Sequence, residues 1–468
     1  MKIYFLLLSI ICATFFEMAA MAKSPIDSNY IIKNYSEISK KIIEAVMSHE
    51  GSWDRLAYMC DTYGPRLAGS EGLNQALNWA FEEMKKDKLD NVRTEEVMVP
   101  HWQRGNEFCE LLIPRKTNIR MCALGGSVAT PKDGITAPVV VFHSFDELKA
   151  NPEKAKGKIV LFQYKYENYG QAVQFRVRGA SEAARAGAVA SIIRSVTPES
   201  MKNPHTGVMF YNDSIPKIPH AAIPGEDADM LERMYNRGQN PTVHLYMEAE
   251  TLPDAPSMNV MGEITGNNLK DEIVALGGHS DCWDLGLGAQ DDGSGMVACW
   301  EAVKILKNMG LKASRTLRAV LWVNEENGTR GGKKYAELHK DEKHALVFEM
   351  DIGAYPPEKI AFTGTDEIFD ILKGLEPLVK SLGNIKVTKG GGGVDIGPMM
   401  HDNGTYGMSI NTDDKGDYFR HHHSITDTPD KVNPEDFKKC IAVIAVAVYI
   451  YADLPIDLVT HPTLHNSK

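Results

Sequence analysis

The stretch of residues 277–295 holds metal-binding side chains at a spacing that suits a metal site. It reads GGHSDCWDLGLGAQDDGSG, so one residue separates His279 from Asp281, and Asp291 follows among glycines and small residues. Imidazole nitrogen and carboxylate oxygen are both ligands of zinc. This composition is typical of a metal site at the carboxyl end of a strand.

Further candidate ligands follow apolar runs later in the chain. Glu325 and Glu326 come after one such run, Asp351 follows another, and His423 lies in the stretch RHHHSITDT. The carboxyl ends of strands in an open α/β sheet line one crevice. We therefore expect these side chains to lie close together.

The candidate ligands are two histidines and three carboxylates. This mixture suits a pair of zinc ions that share a bridging carboxylate and a water molecule. An all-oxygen set would instead suit magnesium or calcium. The predicted ligand set is His279, Asp291, Glu326, Asp351 and His423.

Three neighbouring carboxylates receive supporting roles. Glu325 lies beside a ligand without being one, and we predict that it is the general base that takes the proton from the zinc-activated water. Asp281 is predicted to orient His279 through the ring nitrogen that does not bind metal. Asp292 is predicted to cap the helix that follows it.

Other polar side chains near the site are expected to have ordinary roles. His421 and His422 are expected at the surface or behind the ligands. Cys282 is expected to pack as a small residue, because no base is assigned to activate its thiol. The run Gly293-Ser294-Gly295 is not a Gly-x-Ser-x-Gly elbow, which disfavours a serine hydrolase.

Strand and helix patterns alternate around these residues, which predicts an α/β fold with a mixed central sheet flanked by helices. Apolar runs predict strands at 93–99, 272–276, 317–323, 346–350 and 407–411. Helical periodicity predicts helices at 72–86, 293–309, 332–340, 367–382 and 434–451.

The middle of the chain differs in texture from the rest. Short β-rich runs and one small-residue helix predict a separate β-rich unit, and no charged constellation marks it as catalytic. The runs are 139–142, 158–162, 190–193 and 218–223, and the helix is 179–188. We predict an insert at 123–250 that divides the catalytic domain into 51–122 and 251–468.

The amino terminus is predicted to be a signal peptide at 1–22, because a lysine precedes an apolar run and Ala20-Met21-Ala22 offers a cleavage site. Residues 23–50 are predicted to be helical, either as a removable pro-segment or as the first helix of the fold. No other long apolar run follows. We expect a secreted or lumenal protein, extracellular or lysosomal, without stable membrane insertion once the signal is removed.

The composition is that of an ordinary globular chain. With 43% hydrophobic and 24% charged residues, the 468 residues can bury a full core. The net charge is −11 and no basic run stands out, so nucleic acid is not an expected partner.

Two further features bear on export from the cell. Six cysteines remain after the predicted signal at irregular spacing, and one or two disulfide bonds could form in pairings that the spacing does not reveal. Acceptor triplets for glycosylation begin at Asn34, Asn212, Asn327 and Asn403.

Together, the motifs resemble those of a known family. His-x-Asp, Gly-Ala-x-Asp-Asp-Gly-x-Gly, a Glu pair after a strand, an Asp at a strand end and His-Ser-x-x-Asp-Thr are similar to the motifs of the co-catalytic zinc aminopeptidase and carboxypeptidase family. The resemblance covers nearly the whole chain after the signal. It implies a zinc-peptidase-like fold with an inserted protease-associated domain, to which residues 125–147 and 216–224 correspond.

The resemblance also implies a role for each ligand. His279 and Asp351 would bind one zinc ion. Glu326 and His423 would bind the other. Asp291 would bridge the two ions.

The resemblance implies an activity as well. Glu325 would be the catalytic base of a dizinc exopeptidase that hydrolyses small peptides, with a preference for dipeptides whose termini are unblocked. A homodimer and activation by loss of a pro-segment are also implied. Asn324 before the glutamates and Ile425-Thr426 in the histidine turn depart from the family pattern, and neither removes a ligand.

Three other functions remain compatible with the motifs. One is an aminopeptidase that acts on longer peptides. Another is a catalytically silent binding ectodomain of the same fold, although such proteins usually lose ligands and this chain keeps them. A glutaminyl cyclase relative is the third, and the retained Asp291 and Asp351 count against it.

Overall fold

The computed structural model describes residues 26–459, and the predicted signal peptide lies outside them. Two sheets of eight strands each organise the described chain. The larger is a mixed sheet with helices on both faces, and the smaller belongs to an inserted unit. The predicted fold class, a mixed central sheet flanked by helices with a β-rich insert, is confirmed.

The strands follow one another along the described chain as β1 (Asp90–Gln103), β2 (Glu107–Ile113), β3 (Thr117–Ile119), β4 (Cys122–Ala123), β5 (Ile135–Phe142), β6 (Ile159–Phe162), β7 (Ala190–Arg194), β8 (His220–Ile223), β9 (Thr242–Met247), β10 (Glu250–Ile264), β11 (Leu269–His279), β12 (Arg315–Trp322), β13 (Lys343–Glu349), β14 (Pro357–Thr363), β15 (Lys386–Lys389) and β16 (Gly407–Thr412).

The α-helices of the described chain are α1 (Ser28–Ser48), α2 (Ser52–Tyr63), α3 (Glu71–Lys86), α4 (Phe145–Ala150), α5 (Tyr169–Arg185), α6 (Gly225–Asn236), α7 (Ser294–Asn308), α8 (Arg330–Leu338), α9 (Asp366–Leu372), α10 (Leu375–Leu378), α11 (Gly397–Asp402), α12 (Tyr418–His421) and α13 (Pro434–Asp453). Short 3-10 turns occur at Pro152–Lys154, Lys380–Leu382 and Pro429–Lys431.

The larger sheet has the strand order β1-β10-β12-β11-β13-β16-β14-β15, with β12, β11, β13 and β16 parallel at its centre. Successive residues of β11 face opposite layers, as the pleat of a strand requires. Val274 and Leu276 pack with α7 and α13 on one face, whereas Ile273 and Ala275 pack toward α8 on the other. The sheet is therefore buried on both faces, as parallel sheets usually are.

The smaller sheet has the order β3-β2-β9-β5-β6-β7-β8-β4. The chain enters it after β1 and returns from it to β10, and these two strands pair with each other in the larger sheet. Strand β2 of the smaller sheet pairs with β9. The predicted boundary at residue 123 therefore lies inside this sheet, which begins near Glu107. The pattern of β2 was too weak to reveal this, because only Cys109 and Leu111 of its residues are buried.

Two predicted helices differ in extent from those observed. The helix predicted at 367–382 is broken into α9, α10 and a 3-10 turn. Gly374 at the break lies against Ile31 of α1, and Pro377 removes a backbone donor. Helix α5 begins ten residues before the predicted start at 179, because the Asn168 side chain accepts a hydrogen bond from the Gln171 amide and caps it.

Helix α1 lies within the segment predicted as either a pro-segment or a first helix. Asp27 caps it by accepting from the Tyr30 amide, and Ile31 and Ile42 are fully buried. Tyr35 donates to Asp453 of α13 over 3.1 Å. This segment therefore has the packing of a core helix.

The cysteines of the described chain are Cys60, Cys109, Cys122, Cys282, Cys299 and Cys440, and all are buried. Each is a free thiol, so the one or two disulfide bonds that the sequence allowed are not formed within residues 26–459. These side chains contribute to the core as small apolar residues.

Two expectations about the surface can be set beside the structure. No helix within residues 26–459 combines the length and the apolarity needed to cross a membrane. Asn34 and Asn212 of the predicted glycosylation triplets are exposed, whereas Asn327 and Asn403 are half-buried.

Replacing a buried isoleucine of α1 tests whether this helix belongs to the core. Ile42→Ala should lower the free energy of unfolding by about 2–4 kcal/mol, because it removes buried methyl groups and leaves a cavity. Ile32→Ala on the exposed side of the same helix should change it by less than about 0.5 kcal/mol. Urea denaturation followed by circular dichroism measures both, and equal effects would contradict the assignment.

Candidate metal centre

The candidate ligands lie where three parallel strands end side by side. Strand β11 lies between β12 and β13, and its last residue is His279. Glu325 and Glu326 follow β12, and Asp351 follows β13. The strand order therefore brings these side chains to one edge of the sheet, as their positions in the sequence predicted.

Asp291 lies between the two histidines of the predicted ligand set. Its Oδ1 is 3.3 Å from Nε2 of His279, and its Oδ2 is 3.2 Å from Nε2 of His423. Asp351 Oδ1 is 3.5 Å from the same nitrogen of His279. Glu326 Oε2 is 3.0 Å from that of His423. The five side chains thus form two groups joined by one carboxylate.

These spacings and burials fit a pair of metal ions. Ligand atoms about 2.0–2.1 Å from a tetrahedral zinc lie about 3.3 Å from one another, which is the spacing found here. Asp291 Oδ2 and Glu326 Oε1 are buried without a hydrogen-bond partner. A cation bound between these groups would satisfy oxygens that the protein itself leaves unsatisfied.

The carboxylates of the site favour a positive charge next to His279 and next to His423. Burial alone would lower the pKa of His279, but contact with Asp291 and Asp351 raises it well above its ordinary value. Burial likewise opposes protonation of His423, yet Glu326 and Asp291 raise its pKa to about 10. The pKa of Asp291, which burial would raise, is held well below its usual range by the two imidazoles.

Two neighbouring side chains approach the same atoms. Asp292 lies near His279, but its carboxylate already accepts from the amides of His279 and Gly295, each over 3.1 Å. By accepting from the Gly295 amide, the Asp292 side chain holds the first turn of α7, which is close to the capping role predicted for it. His422 stacks on His423, and its Nε2 is 3.5 Å from Asp291 Oδ2.

Two further histidines precede His423 in the same turn. His421 and His422 are both buried, which excludes the surface and leaves the other expected position, behind the ligands. His421 bonds to the Thr426 hydroxyl over 2.9 Å. His422 lies behind the ligands and also faces the cleft. The turn that bears His423 folds back on itself, which removes these rings from solvent.

Asp281 contacts His279 differently from the prediction. The Nδ1 atom of His279 donates to the main-chain carbonyl of Asp281 over 2.9 Å, whereas the carboxylate is 3.8 Å away. That carboxylate instead accepts from the amides of Glu325 at 3.0 Å and Glu326 at 3.3 Å. Asp281 therefore orients His279 with its backbone and the glutamate pair with its side chain.

Asp427 holds the backbone that carries the bridging carboxylate. It accepts from the amides of Ala289 at 3.1 Å, Gln290 at 2.7 Å and Asp291 at 3.2 Å. Burial raises the pKa of Asp427 to about 7. Three convergent amides of one short turn fix the direction in which Asp291 points.

Arg66 ties the loop between His279 and Asp291 to the rest of the catalytic domain. The side chain is fully buried and donates to the carbonyls of Ser280, Leu287 and Gly288 over 2.7–3.0 Å. These carbonyls lie at both ends of the loop. The guanidinium of Arg66 therefore holds the two ends of the loop together.

Cys282 lies in this loop but is not a nucleophile. Its thiol accepts a hydrogen bond from the Arg66 amide, and burial raises the pKa of Cys282 to about 12. At neutral pH such a thiol is almost entirely protonated. The predicted packing role is consistent with this environment.

The insert reaches the site through residues 205 and 206. The Thr206 amide donates to the His423 carbonyl over 3.0 Å, and the Thr206 carbonyl is 3.3 Å from His423 Nδ1. His205 Nδ1 is 2.7 Å from the carbonyl of His422. A histidine that binds metal through Nε2 needs an acceptor for its Nδ1 proton, and the insert provides it.

A cleft of about 620 Å³ opens over the candidate ligands. The catalytic domain contributes Asp291, Glu325, Glu326, Asp351 and His423 to its lining, among others. The insert contributes Tyr169, Arg176, Val208 and Phe210. The cleft has the size of a small-molecule site and lies between the two units.

Glu325 lines the cleft beside the ligands without contacting their metal-facing nitrogens. Burial raises its pKa well above the ordinary value; His279 opposes this effect, and the nearby carboxylates of Asp351 and Glu326 add to it. A carboxylate with a raised pKa accepts protons more readily than one in water. Glu325 is therefore a carboxylate at the cleft that lies outside the candidate ligand set.

Several residues at the site were not identified from the sequence. Asp427 lay in the quoted His-Ser-x-x-Asp-Thr motif, where its placement after the ligand was the available signal. Arg66 received no role from the sequence, because nothing in the residues around it marked it as part of the site. Tyr169 and Arg176 belong to a unit expected to carry no catalytic feature, and nothing local revealed their position at the cleft.

Comparison with known proteins agrees with this geometry. Residues 259–448 match peptidase family M28, and residues 132–231 match the PA domain. Carboxypeptidase Q of Mus musculus is 43% identical over 428 residues, which are 90% of this chain and 91% of that protein. Carboxypeptidase Q of Homo sapiens is 41% identical over 428 residues, 90% of each.

Solved structures share the architecture. A peptidase M28 precursor from Shewanella amazonensis superposes with a TM-score of 0.88 at 34% identity, covering 92% of this chain and 99% of that one. A zinc aminopeptidase from Bacillus subtilis gives a TM-score of 0.65 at 21% identity, covering 87% and 98%, a likeness of fold alone. The PA match confirms the predicted type of insert.

Replacing Asp427 tests whether it positions the bridging carboxylate. Asp427→Asn should weaken zinc binding by about 10–100-fold, because an amide nitrogen would face backbone donors that now find a carboxylate. Competition with a chromophoric chelator measures the affinity. Asp430→Asn, on an exposed side chain three residues later, serves as the control and should bind zinc like the wild type. Equal affinities in all three proteins would contradict the role.

Proposed function

This chain belongs to peptidase family M28, and we propose that it is a dizinc exopeptidase that hydrolyses small peptides, preferentially dipeptides with unblocked termini. Membership of the family makes it a zinc metallopeptidase, and its relatives include carboxypeptidase Q. The observation that carries the two-metal proposal is Asp291, which directs one carboxylate oxygen toward each of two histidines.

The ligands divide into two groups around this bridge. We assign His279 and Asp351 to one zinc ion, and Glu326 and His423 to the other, with Asp291 shared between them. When bound, the zinc pair would supply a water activated at neutral pH and an electrophile for the scissile carbonyl. The carboxylate and imidazole donors suit zinc better than magnesium or calcium.

Glu325 is the proposed general base. Its carboxylate lines the cleft beside the ligands, where it can take a proton from the attacking water and pass it to the departing amine. The Glu325 amide is held by Asp281, so the backbone of the base and that of the adjacent ligand share one anchor.

The insert supports the proposed preference for short peptides. Tyr169, Val208 and Phe210 of the insert line the cleft together with the glutamate pair, and the cleft of about 620 Å³ suits a ligand of a few residues. A longer peptide would have to extend beyond this cleft. The resemblance of the motifs to those of the family favours the same substrate class.

The proposal extends to assembly and location. We propose a secreted or lumenal homodimer, supported by the family resemblance and the predicted signal peptide at 1–22. The exposed positions of Asn34 and Asn212 are compatible with glycosylation there.

Replacing Glu325 tests the catalytic mechanism. Glu325→Gln should retain the fold and two zinc ions per chain but lose about 10²–10⁴-fold in kcat, because the amide cannot accept the proton of the water. Dipeptide hydrolysis followed by amine release measures the rate, and elemental analysis measures the metal. Near-normal turnover would exclude Glu325 as the base.

The adjacent glutamate provides the matched comparison for that experiment. Glu326→Gln should lower zinc content as well as activity, because this residue is assigned as a ligand. Zinc loss in Glu325→Gln but not in Glu326→Gln would reverse the two assignments.

Peptide length separates the proposed function from an aminopeptidase that acts on longer chains. The value of kcat/KM should be at least about tenfold higher for Ala-Leu than for a tetrapeptide with the same first two residues, because the longer peptide would extend beyond a cleft of about 620 Å³. Chromatography of the products gives both rates. Equal or higher values for the tetrapeptide would favour the aminopeptidase.

A further inference from the structure

Arg104 lies where the chain crosses from the catalytic domain into the insert. It directly follows the last residue of β1, and strand β2 of the smaller sheet begins at Glu107. Only 10% of the Arg104 side chain is exposed. A charged group buried to this degree needs partners for its charge and its donors, because desolvating an unpaired cation is costly. The contacts of Arg104 therefore show how the two units are joined at this crossing.

Arg104 forms an ion pair with the loop that carries metal ligands. Its Nε donates to Asp284 Oδ2 over 2.7 Å, and its Nη2 donates to Asp284 Oδ1 over 2.6 Å. Two parallel, charge-assisted hydrogen bonds of this kind fix the orientation of both side chains. Asp284 lies between His279 and Asp291 in the chain. The pair therefore ties the metal-binding loop to the crossing into the insert.

The same guanidinium contacts the hydroxyl of Thr206. Nη2 of Arg104 donates to Thr206 Oγ1 over 3.2 Å, and this hydroxyl donates to the Ala123 carbonyl over 3.0 Å. The Ala123 carbonyl also accepts from Nη1 of Arg104. Thr206 is fully buried. Because its hydroxyl accepts one hydrogen bond and donates another, the threonine side chain is held in one orientation.

The main chain of the same threonine faces a candidate ligand. The Thr206 amide donates to the His423 carbonyl over 3.0 Å, and the Thr206 carbonyl is 3.3 Å from His423 Nδ1. The backbone of Thr206 thus contacts the histidine while its side chain contacts Arg104. A shift of that side chain would move the carbonyl that accepts the Nδ1 proton of a metal-bound imidazole.

The residue before the aspartate of the ion pair also packs against the insert. Trp283 is buried, and its ring centroid is 5.9 Å from that of His423. Gly125 of the insert lies against this indole, where an added Cβ would come within 1.8 Å of the ring. The Gly125 amide donates to the Gly207 carbonyl over 2.9 Å. The metal-binding loop therefore meets the insert at two successive residues, and both contacts lead to the segment around Thr206.

We propose that Arg104 and Asp284 are positioning residues for His423, which act through Thr206 and set the affinity of the zinc ion at that histidine. The contacts run from the metal-binding loop through the guanidinium to the Thr206 hydroxyl, and from the Thr206 backbone to the imidazole. This inference rests on the ligand assignment of the proposed function. It adds a pair of residues that neither bind metal nor line the cleft.

The two proposed zinc positions differ in what orients their histidines. His279 Nδ1 donates to the carbonyl of Asp281, which belongs to the same loop. His423 Nδ1 has its acceptor on the insert. Weakening the contacts of Arg104 should therefore lower the zinc affinity at His423 and spare the position at His279. A general loss of stability would not separate the two positions in this way.

Each zinc position can be measured in a protein that lacks the other one. Asp351→Ala leaves the position of Glu326 and His423, whereas His423→Ala leaves the position of His279. Asp284→Asn is then introduced into each of these proteins, because an amide keeps the shape of the side chain and loses the charge that pairs with the guanidinium. Competition with a chromophoric chelator gives the zinc dissociation constants of the full-length chains.

The effect of Asp284→Asn should depend on which position remains. In the Asp351→Ala protein it should weaken zinc binding about 10–100-fold, the usual effect of losing a partner that orients a ligand. In the His423→Ala protein it should change the dissociation constant by less than about threefold. Asp229→Asn is the matched control, because Asp229 pairs with Arg194 inside the insert over 2.7 Å. It should leave both dissociation constants unchanged.

Substitution of Thr206 tests the connection itself with little change of shape. Thr206→Val removes the hydroxyl and should weaken zinc binding in the Asp351→Ala protein as much as Asp284→Asn does. Thr206→Ser keeps a hydroxyl and should bind zinc within about threefold of its parent protein. Thermal unfolding of the zinc-free proteins shows which variants are folded. The threonine pair decides the question by itself if Asp284→Asn does not fold.

Two results would overturn the inference. One is a folded Asp284→Asn or Thr206→Val protein whose zinc affinity at His423 is unchanged. The other is an equal loss of affinity at both zinc positions, which would indicate a general structural role. Failure of the proposed ligand assignment would look different, because His423→Ala and Asp351→Ala would then each keep two zinc ions per chain.

Discussion

The carboxylate of Asp291 is the constraint around which the site is built. It must direct one oxygen toward His279 and the other toward His423, so its position has to be fixed in every direction. The three amides that converge on Asp427 fix the backbone, and Arg66 closes the loop that precedes it. A carboxylate free to rotate would place an oxygen near only one histidine at a time. The hydrogen bonds of the loop therefore hold Asp291 in one orientation.

Much of this site could be predicted from the sequence because its ligands follow local rules. Buried apolar strands are easily recognised, and a polar residue directly after such a strand has only the edge of the sheet to occupy. His279, Glu326 and Asp351 lie at that edge. The central strand order then makes neighbours of three positions that are separated by many residues in the chain. For the same reason the α/β fold could be predicted, whereas the exact ends of its elements could not.

The contacts that were missed depend on distant parts of the chain. Tyr169 and Arg176 reach the cleft because the insert folds over the sheet edge, and no local pattern encodes that packing. Helix α5 was placed too late because its first half is polar, and its cap at Asn168 outweighs that composition. The carboxylate of Asp281 turns toward two amides, and not toward His279, which only the fold of the following strand determines.

The two hydrogen bonds between Thr206 and His423 connect the insert to the catalytic domain, and the two parts are synthesised at different times. All five candidate ligands follow the insert in the chain, so the insert is made first and can fold before any of them has emerged. His423 comes last, and its turn is held by an insert loop that must already be in place. The candidate ligand set of a newly made chain is therefore complete only after the turn that bears His423 has been synthesised.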